Sequence, residues 1–252
     1  MRIAAISDVH GNAFALRAVL ESIQHDHVDV IVNLGDHFSG AVLPAETARL
    51  MKTVPMVCIR GNHERQLEEL EPSAMGASDR CALEQLGDDH CEWLTSMPRS
   101  ADIGAGVFAF HGTPEDDLEY LLETVTEQGA REATVEEVVE RLKGYLDRDL
   151  LLCGHTHIQR SLRIPQGPLV VNPGSVGWPA YDDDRPYPHV MEAGTPHARY
   201  AVVDDVSGRW EAEFRALEYP WGKAAEIAAS RGRADVEYAL LTGRVRTAAQ
   251  GR

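Results

Sequence analysis

Residues 3–12 read Ile3-Ala4-Ala5-Ile6-Ser7-Asp8-Val9-His10-Gly11-Asn12: a short apolar run leading into Asp-x-His and then a Gly-Asn turn. An apolar run closed by a turn is the pattern of a buried strand, and Asn after glycine is a helix cap. Beyond it Leu16, Val19, Leu20 and Ile23 recur at i, i+3, i+4 and i+7, which predicts an amphipathic helix. The same order then repeats. Val28 to Leu34 reads as a second strand running into Gly35-Asp36, and residues 43–53 as a second helix. Met56 to Ile59 reads as a third strand, leading to Gly61-Asn62-His63-Glu64. Strand, helix, strand, helix, strand with short connections predicts a parallel sheet.

Residues 64–100, rich in Glu, Asp, Leu and Arg, break this rhythm and read as an insertion of short exposed helices. Val107 to His111 resumes as strand, and Thr134-x-x-Glu137 is a capping box ahead of another helix. Leu150 to Cys153, Leu162 to Ile164, Leu169 to Val171, Tyr200 to Asp204 and Trp210 to Leu217 follow as strands. Little helix separates the later ones, so a second, more antiparallel sheet is expected. From Pro220 the chain reads as helical, with Gly232 and Gly243 as stops. The expectation is one α/β domain over residues 1–252, with two sheets and outer helices.

Composition narrows the function. At 252 residues and 44% apolar content the chain can build a large core without staples. Its net charge of −16 repels a phosphate backbone, so binding of long nucleic acid is not expected. A single phosphate handled through bound cations remains compatible with that charge. No apolar run exceeds four residues, against about 20 for a membrane span. Asp8 ends the first run too early for a signal peptide. Four cysteines without C-x-x-C make no disulfide framework. Cys58 and Cys153 read as buried thiols, and a Cys81–Cys91 pair is the weaker alternative. A cytoplasmic protein is expected, its oligomeric state open.

Five islands concentrate metal-ligand residues: Asp8-Val9-His10, Gly35-Asp36, Gly61-Asn62-His63-Glu64, His111-Gly112 and Gly154-His155-Thr156-His157. Each follows directly from an expected strand, and in α/β sheets the carboxyl ends of strands face the ligand crevice. The two Asp/His-x-His pairs place both side chains on one face of an extended chain. Carboxylate, imidazole and amide donors without thiolate suit Mn²⁺, Fe or Zn²⁺. Seven ligands exceed what one tetrahedral ion needs, so two ions sharing a carboxylate is the natural division.

The order of these motifs resembles that of the calcineurin-like metallophosphoesterases, over roughly residues 2–178. Asn172-Pro173-Gly174-Ser175-Val176-Gly177 is similar to a signature of its small bacterial branch, labelled phosphodiesterase or diadenosine-tetraphosphatase-like. The resemblance implies a four-layer α/β/β/α sandwich, two packed mixed β-sheets flanked by helices. It implies one metal held by Asp8, His10, Asp36 and His157, another by Asp36, Asn62, His111 and His155, and Asp36 as bridge. Mn²⁺ is the favoured ion, with Fe, Zn²⁺, Ni²⁺ and Co²⁺ as alternatives. Relatives that act on phosphoproteins carry Gly-Asp-x-x-Asp-Arg-Gly. Here the stretch is Gly35-Asp36-His37-Phe38-Ser39-Gly40, which argues against a phosphoprotein substrate.

The chemistry implied is in-line attack of a metal-bridging hydroxide on a phosphodiester or small phosphoester, with His63 as general acid. Glu64 either orients His63 or is an exposed helix-start carboxylate. Asn12 either donates to a phosphate oxygen or is an ordinary helix cap. Arg60 either clamps phosphate or pairs at the surface. The loop 178–197, with Trp178, Tyr181 and Tyr187, either lies over the active site or packs its aromatics on the body. The substrate is expected to be a small phosphoester or nucleotide-type molecule. A dinucleoside polyphosphate hydrolase and a non-catalytic interaction scaffold are the alternatives. Complete ligands and the presence of His63 favour the enzyme.

Overall fold

The computed structural model describes residues 1–87 and 93–246. Strands β1 (Arg2–Ile6), β2 (Val30–Asn33) and β3 (Val57–Cys58) run parallel, joined by helices α1 (Ala13–Ile23) and α2 (Pro44–Met51). On the other side of β1, β13 (Ala198–Val206) and β14 (Arg209–Leu217) pair antiparallel, giving the order β14-β13-β1-β2-β3. The second sheet has the order β4 (Ser100–Gly104), β5 (Val107–Phe110), β8 (Leu150–Leu152), β10 (Leu169–Pro173), β9 (Gln159–Arg163). Its three inner strands are parallel and its two edges antiparallel.

Alternation along the strands sets the layers. Ile3 and Ala5 of β1 meet Val107, Ala109, Leu150, Leu152 and Val171 in a core between the sheets. Ala4 and Ile6, one residue out of step, pack on Leu16, Val19 and Leu20 of α1 and on Ala224 and Ala228 of α6 (Trp221–Ser230). On the far side Phe110, Leu151 and Val170 pack on Val138 and Leu142, in and just after α5 (Val135–Arg141). Burying each such aliphatic side chain contributes about 1.5–3 kcal/mol, and the period of two sends that gain to both faces of each sheet. The result is the expected α/β/β/α sandwich.

The second sheet is less antiparallel than expected, because β13 and β14 join the first. Residues 198–203 are buried on both faces, as an inner strand must be, whereas β14 alternates with exposed positions as an edge. Between the main strands lie α3 (Asn62–Glu69), α4 (Ala77–Leu83) and two hairpins, β6 (Glu123–Thr126) with β7 (Gly129–Glu132) and β11 (Ala180–Asp183) with β12 (His189–Glu192). The chain closes with α7 (Ala234–Thr242). Gly243 ends that helix at φ +67, a conformation that suits glycine. Cys153 is buried, but Cys58 is only partly so, and Cys81 is a free thiol. Cys91 lies outside the described residues. Among the described residues no helix is long and apolar enough to cross a membrane.

Candidate metal centre

The parallel strands of both sheets end at one edge, and the loops that follow them carry the five islands together. Asp8 (φ 55), His10 (48), Asp36 (56), His155 (70) and His157 (62) all lie in the left-handed region. Non-glycine residues there cost free energy and persist where the surroundings over-determine them, commonly at functional sites. What holds them is a lacing of backbone bonds. His10 N–H donates to Asp36 O at 3.0 Å and Gly154 N–H to His111 O at 2.7 Å. The two sheets are tied where His155 N–H donates to Asp8 Oδ2 at 3.1 Å.

Gly35 is needed at this seam. It has φ +105, and a Cβ there would sit 2.5 Å from Gly61 N and 2.8 Å from His111 Nδ1. Gly35→Ala is expected to lose about 1–3 kcal/mol of stability. Because His111 is one of the atoms displaced, the variant should also bind less metal. Urea denaturation beside elemental analysis reads both.

The imidazoles are set by their outer nitrogens. Nδ1 of His10 faces Ser39 O at 2.7 Å, that of His157 faces Trp178 O at 2.6 Å, and that of His111 faces Leu34 O at 2.7 Å. A carbonyl only accepts, so each Nδ1 carries the hydrogen and each Nε2 of a neutral ring presents a lone pair inward. His155 is turned the other way: Nε2 donates to Leu118 O at 3.2 Å, which leaves Nδ1 as its inward atom.

These lone pairs converge on acceptors. His10 Nε2 and His157 Nε2 are 3.1 Å apart, and Asp8 Oδ1, 3.3 Å from His157 Nε2, is buried with no hydrogen-bond partner. Asp36 Oδ2 lies 3.3 Å from His111 Nε2 and 3.9 Å from His10 Nε2. Asn62 Oδ1 faces His111 Nε2 at 3.1 Å. Carboxylate oxygens and imidazole lone pairs crowded together in this way make a cation site, and the carbonyl on the outer ring nitrogen is the usual support of a metal-ligating histidine. Asp8, His10 and His157 form one cluster, and Asp36, His111 and His155 another, with ligand atoms within 4.8 Å of one another in each. Asp36 and His10 also share a third grouping with His63, so Asp36 stands between the two clusters. The donor set fits a binuclear centre.

Without ions, protons must occupy this space. Burial opposes a charge on His111, but the Asp36 carboxylate beside it pushes it up to about 10. Burial, reinforced by neighbouring histidines, holds His10 down to about 3 and His155 to about 4. At pH 7 His111 therefore carries a proton that a metal must displace. Filling its site should release about one proton, and affinity should rise about tenfold per pH unit below 10. Calorimetric metal titrations in buffers of different ionisation enthalpy measure this directly.

Beside the clusters, His63 Nδ1 bonds Asp79 Oδ1 at 2.7 Å, and that oxygen also accepts from Ser39 Oγ at 2.5 Å. Burial works against charging His63, but Asp36 and the bond to Asp79 outweigh it and raise it to about 9. Its Nε2 is left for the cavity that His63 lines.

Residues 1–193 match the calcineurin-like phosphoesterase superfamily domain. The chain belongs to that superfamily. It is 26% identical over 248 residues to the uncharacterized protein MJ0912 of Methanocaldococcus jannaschii, which covers 89% of this chain and 90% of that one. A metallophosphoesterase from Sphaerobacter thermophilus superposes with TM-score 0.71 at 25% identity, covering 95% of this chain and 98% of that one. The hypothetical protein PH1004 from Pyrococcus horikoshii shares the fold, with TM-score 0.75 at 19% identity over 96% and 98% of the two chains.

Three residues of this phosphoesterase have partners that bear on the alternatives above: Glu64 meets neither, whereas Asn12 is a helix cap and Arg60 pairs at the surface. Glu64 is buried and accepts from the backbone N–H groups of Asp36, His37 and Gly61 at 2.7, 2.8 and 2.9 Å. It braces the loops that carry Asp36 and Asn62, neither orienting His63 nor facing solvent. Asn12 is a helix cap: Oδ1 accepts from Ala15 N–H while Nδ2 donates to Gly177 O and Tyr219 Oη. Fully buried and with both amide hydrogens committed, it has none for a phosphate oxygen. Arg60 pairs with Glu68 at 2.7 Å and does not line the cavity, in keeping with the surface ion pair.

A cavity of about 800 Å³ opens over the centre, bounded by His10, Asp36, Asn62, His63, His155 and His157 on its floor. Its walls include aromatic side chains, and one of them, Tyr120, belongs to no motif of the sequence. Tyr120 packs on His155 with ring centres 5.1 Å apart and bonds Tyr181 Oη at 2.6 Å. Tyr181 packs on His157 at 4.7 Å, and Trp178 meets His10 edge-on at 4.9 Å. The segment expected as a loop over 178–197 contains the β11–β12 hairpin, and Trp178 and Tyr181 both face the centre and pack on it.

Proposed function

We propose that this phosphoesterase is a phosphodiesterase for small or nucleotide-type substrates, with His63 as general acid to the leaving oxygen. Asp8, His10, Asp36 and His157 would hold one divalent ion and Asp36, Asn62, His111 and His155 the other, with Mn²⁺ the favoured metal. When bound, such ions acidify a coordinated water and neutralise phosphoryl charge. The protein's own contribution is to fix the ligands, exclude bulk water with the aromatic wall, and hold one proton at His63 Nε2. Residues 1–252 then act as one catalytic domain, in which α3 and α4 carry the acid and its partner and β11–β12 builds the wall.

The observation that carries this reading is the His63–Asp79 pair beside the acceptor cluster. A hydrogen-bonded carboxylate fixes the tautomer that presents Nε2–H, which is what expulsion of an alkoxide requires. Diesters are favoured over monoesters because the cavity continues past the metal ligands to Trp178, Tyr181 and Pro186, leaving room for a second ester substituent.

The test compares bis-p-nitrophenyl phosphate with p-nitrophenyl phosphate on metal-stripped protein, with and without Mn²⁺. Mn²⁺ should restore turnover, and the diester should be the better substrate. Metal-loaded protein that cleaves neither compound would refute the enzyme reading, and a monoester preference would refute the diester one.

A further inference from the structure

The cavity over the metal centre has a neighbour. Arg233 lines it and also lines an adjoining cleft of about 560 Å³ bounded by Arg80, Cys81, Glu84 and Arg231 among others. Arg233 approaches the centre from the side of the general acid. Its Nη1 donates to Ser78 Oγ at 2.7 Å, and Ser78 precedes Asp79, the partner of His63. Its guanidinium carbon also lies 5.8 Å from the centre of the Trp178 ring. Arg233 shares its charge with Asp235, at 2.6 Å. Among the described residues the other two arginines share theirs with no carboxylate: Arg80 donates to Met75 O, and Arg231 to Cys81 Sγ and Gln85 Oε1. Neither makes an ion pair among the described residues.

Such a convergence is unusual in a chain of net charge −16, where acidic side chains are plentiful enough to neutralise exposed arginines. Among the described residues Glu84 is the one acidic side chain lining the cleft. Arginine forks match phosphate oxygens in pairs of parallel hydrogen bonds, and a local cationic patch offsets the repulsion a polyanion would otherwise meet.

We propose that the Arg80–Arg231–Arg233 cleft is a subsite for a second phosphate, carried by the leaving portion of the substrate. This rests on the reading of His63 as the acid on the leaving-group side. The substrate class is a diester or anhydride of phosphate whose departing half bears a phosphate of its own.

The test is competition against hydrolysis of bis-p-nitrophenyl phosphate, which reads binding whether or not the competitor is itself cleaved. The competitors are thymidine dinucleotides without and with a terminal 3′-phosphate (TpT and TpTp), and ApA beside diadenosine tetraphosphate. In the native enzyme the more phosphorylated member of at least one pair should inhibit at least tenfold more strongly. In Arg80→Ala/Arg231→Ala, shown folded by circular dichroism, that ratio should fall to about one. Dependence on the arginines in the thymidine pair assigns the phosphate to a terminal monoester, and in the adenosine pair to a polyphosphate chain. Equal inhibition within both pairs of the native enzyme, or a ratio that survives the double substitution, overturns the subsite and leaves the phosphodiesterase standing. Absence of any turnover of bis-p-nitrophenyl phosphate by the metal-loaded native enzyme overturns the phosphodiesterase reading instead.

Discussion

Asp36→Asn should lower kcat/KM for a phosphodiester by about a thousandfold or more and reduce bound metal below two ions per chain. Asp36 is the carboxylate between the two clusters, 3.3 Å from His111 Nε2 and grouped also with His10. Loss of a shared anionic ligand weakens both positions, and several kcal/mol of electrostatic stabilisation is a factor of this size in rate. The fold should survive, because the loop is held through its backbone: Asp36 N–H donates to Glu64 and its carbonyl accepts from His10 N–H. A second signature follows in the metal-free protein. Without the carboxylate that raises it, His111 should titrate well below its native value of about 10. Elemental analysis, steady-state rates and histidine NMR titration together separate this outcome from simple unfolding, in which all histidines would return to ordinary values. Native-like activity with two ions retained would remove Asp36 from the bridging role.

His63→Ala should cost about 10²–10³-fold against a diester with an alkyl leaving group such as TpT, and much less against p-nitrophenyl esters. A p-nitrophenolate departs with little help from a proton, whereas an alkoxide needs one, so the deficit should grow with the basicity of the leaving group. Asp79→Asn should follow the same slope with a smaller loss, about tenfold, since the amide still touches His63 but no longer stabilises the Nδ1-protonated, Nε2-donating form. Asp79 is a positioning residue, and the sign of its action is testable. Burial opposes its charge, but its bond to His63 holds it below the usual carboxylate range, and it helps in turn to raise His63. In the metal-free Asp79→Asn variant the His63 titration should therefore move down from about 9. Equal losses for good and poor leaving groups would argue against proton donation by this pair.

The candidate metal ligands stood out in the sequence because each follows a strand, and strand ends obey a simple rule of place. The fold was legible for a related reason: apolar runs and helical periodicity report local burial, which suffices for Ile3 to Ile6 and for Leu16 to Ile23. The assignment of β13 and β14 to a sheet was not, since alternation says which face is buried and nothing about the neighbour across the ladder. Asp79 was hidden because an acidic residue early in a helix is ordinary, and only its distance to His63 distinguishes it. Glu64 was misread for the opposite reason, and Asn12 stood between two readings: residue type suits both to polar contact with a ligand, whereas position commits them to backbone groups.

The ligands also divide by order of synthesis. Asp8, His10, Asp36 and Asn62 come from the first sheet, but His111, His155 and His157 follow strands of the second, and the His10–His157 contact spans 147 residues. On a ribosome the early half of the chain emerges with carboxylates and an imidazole but without the histidines that complete either cluster. An ion met at that stage would find only part of either proposed set, Asp8, His10 and Asp36 of one or Asp36 and Asn62 of the other. On the proposed ligand assignment, full coordination would wait for the sheets to dock, and metal retention would then report on the finished molecule.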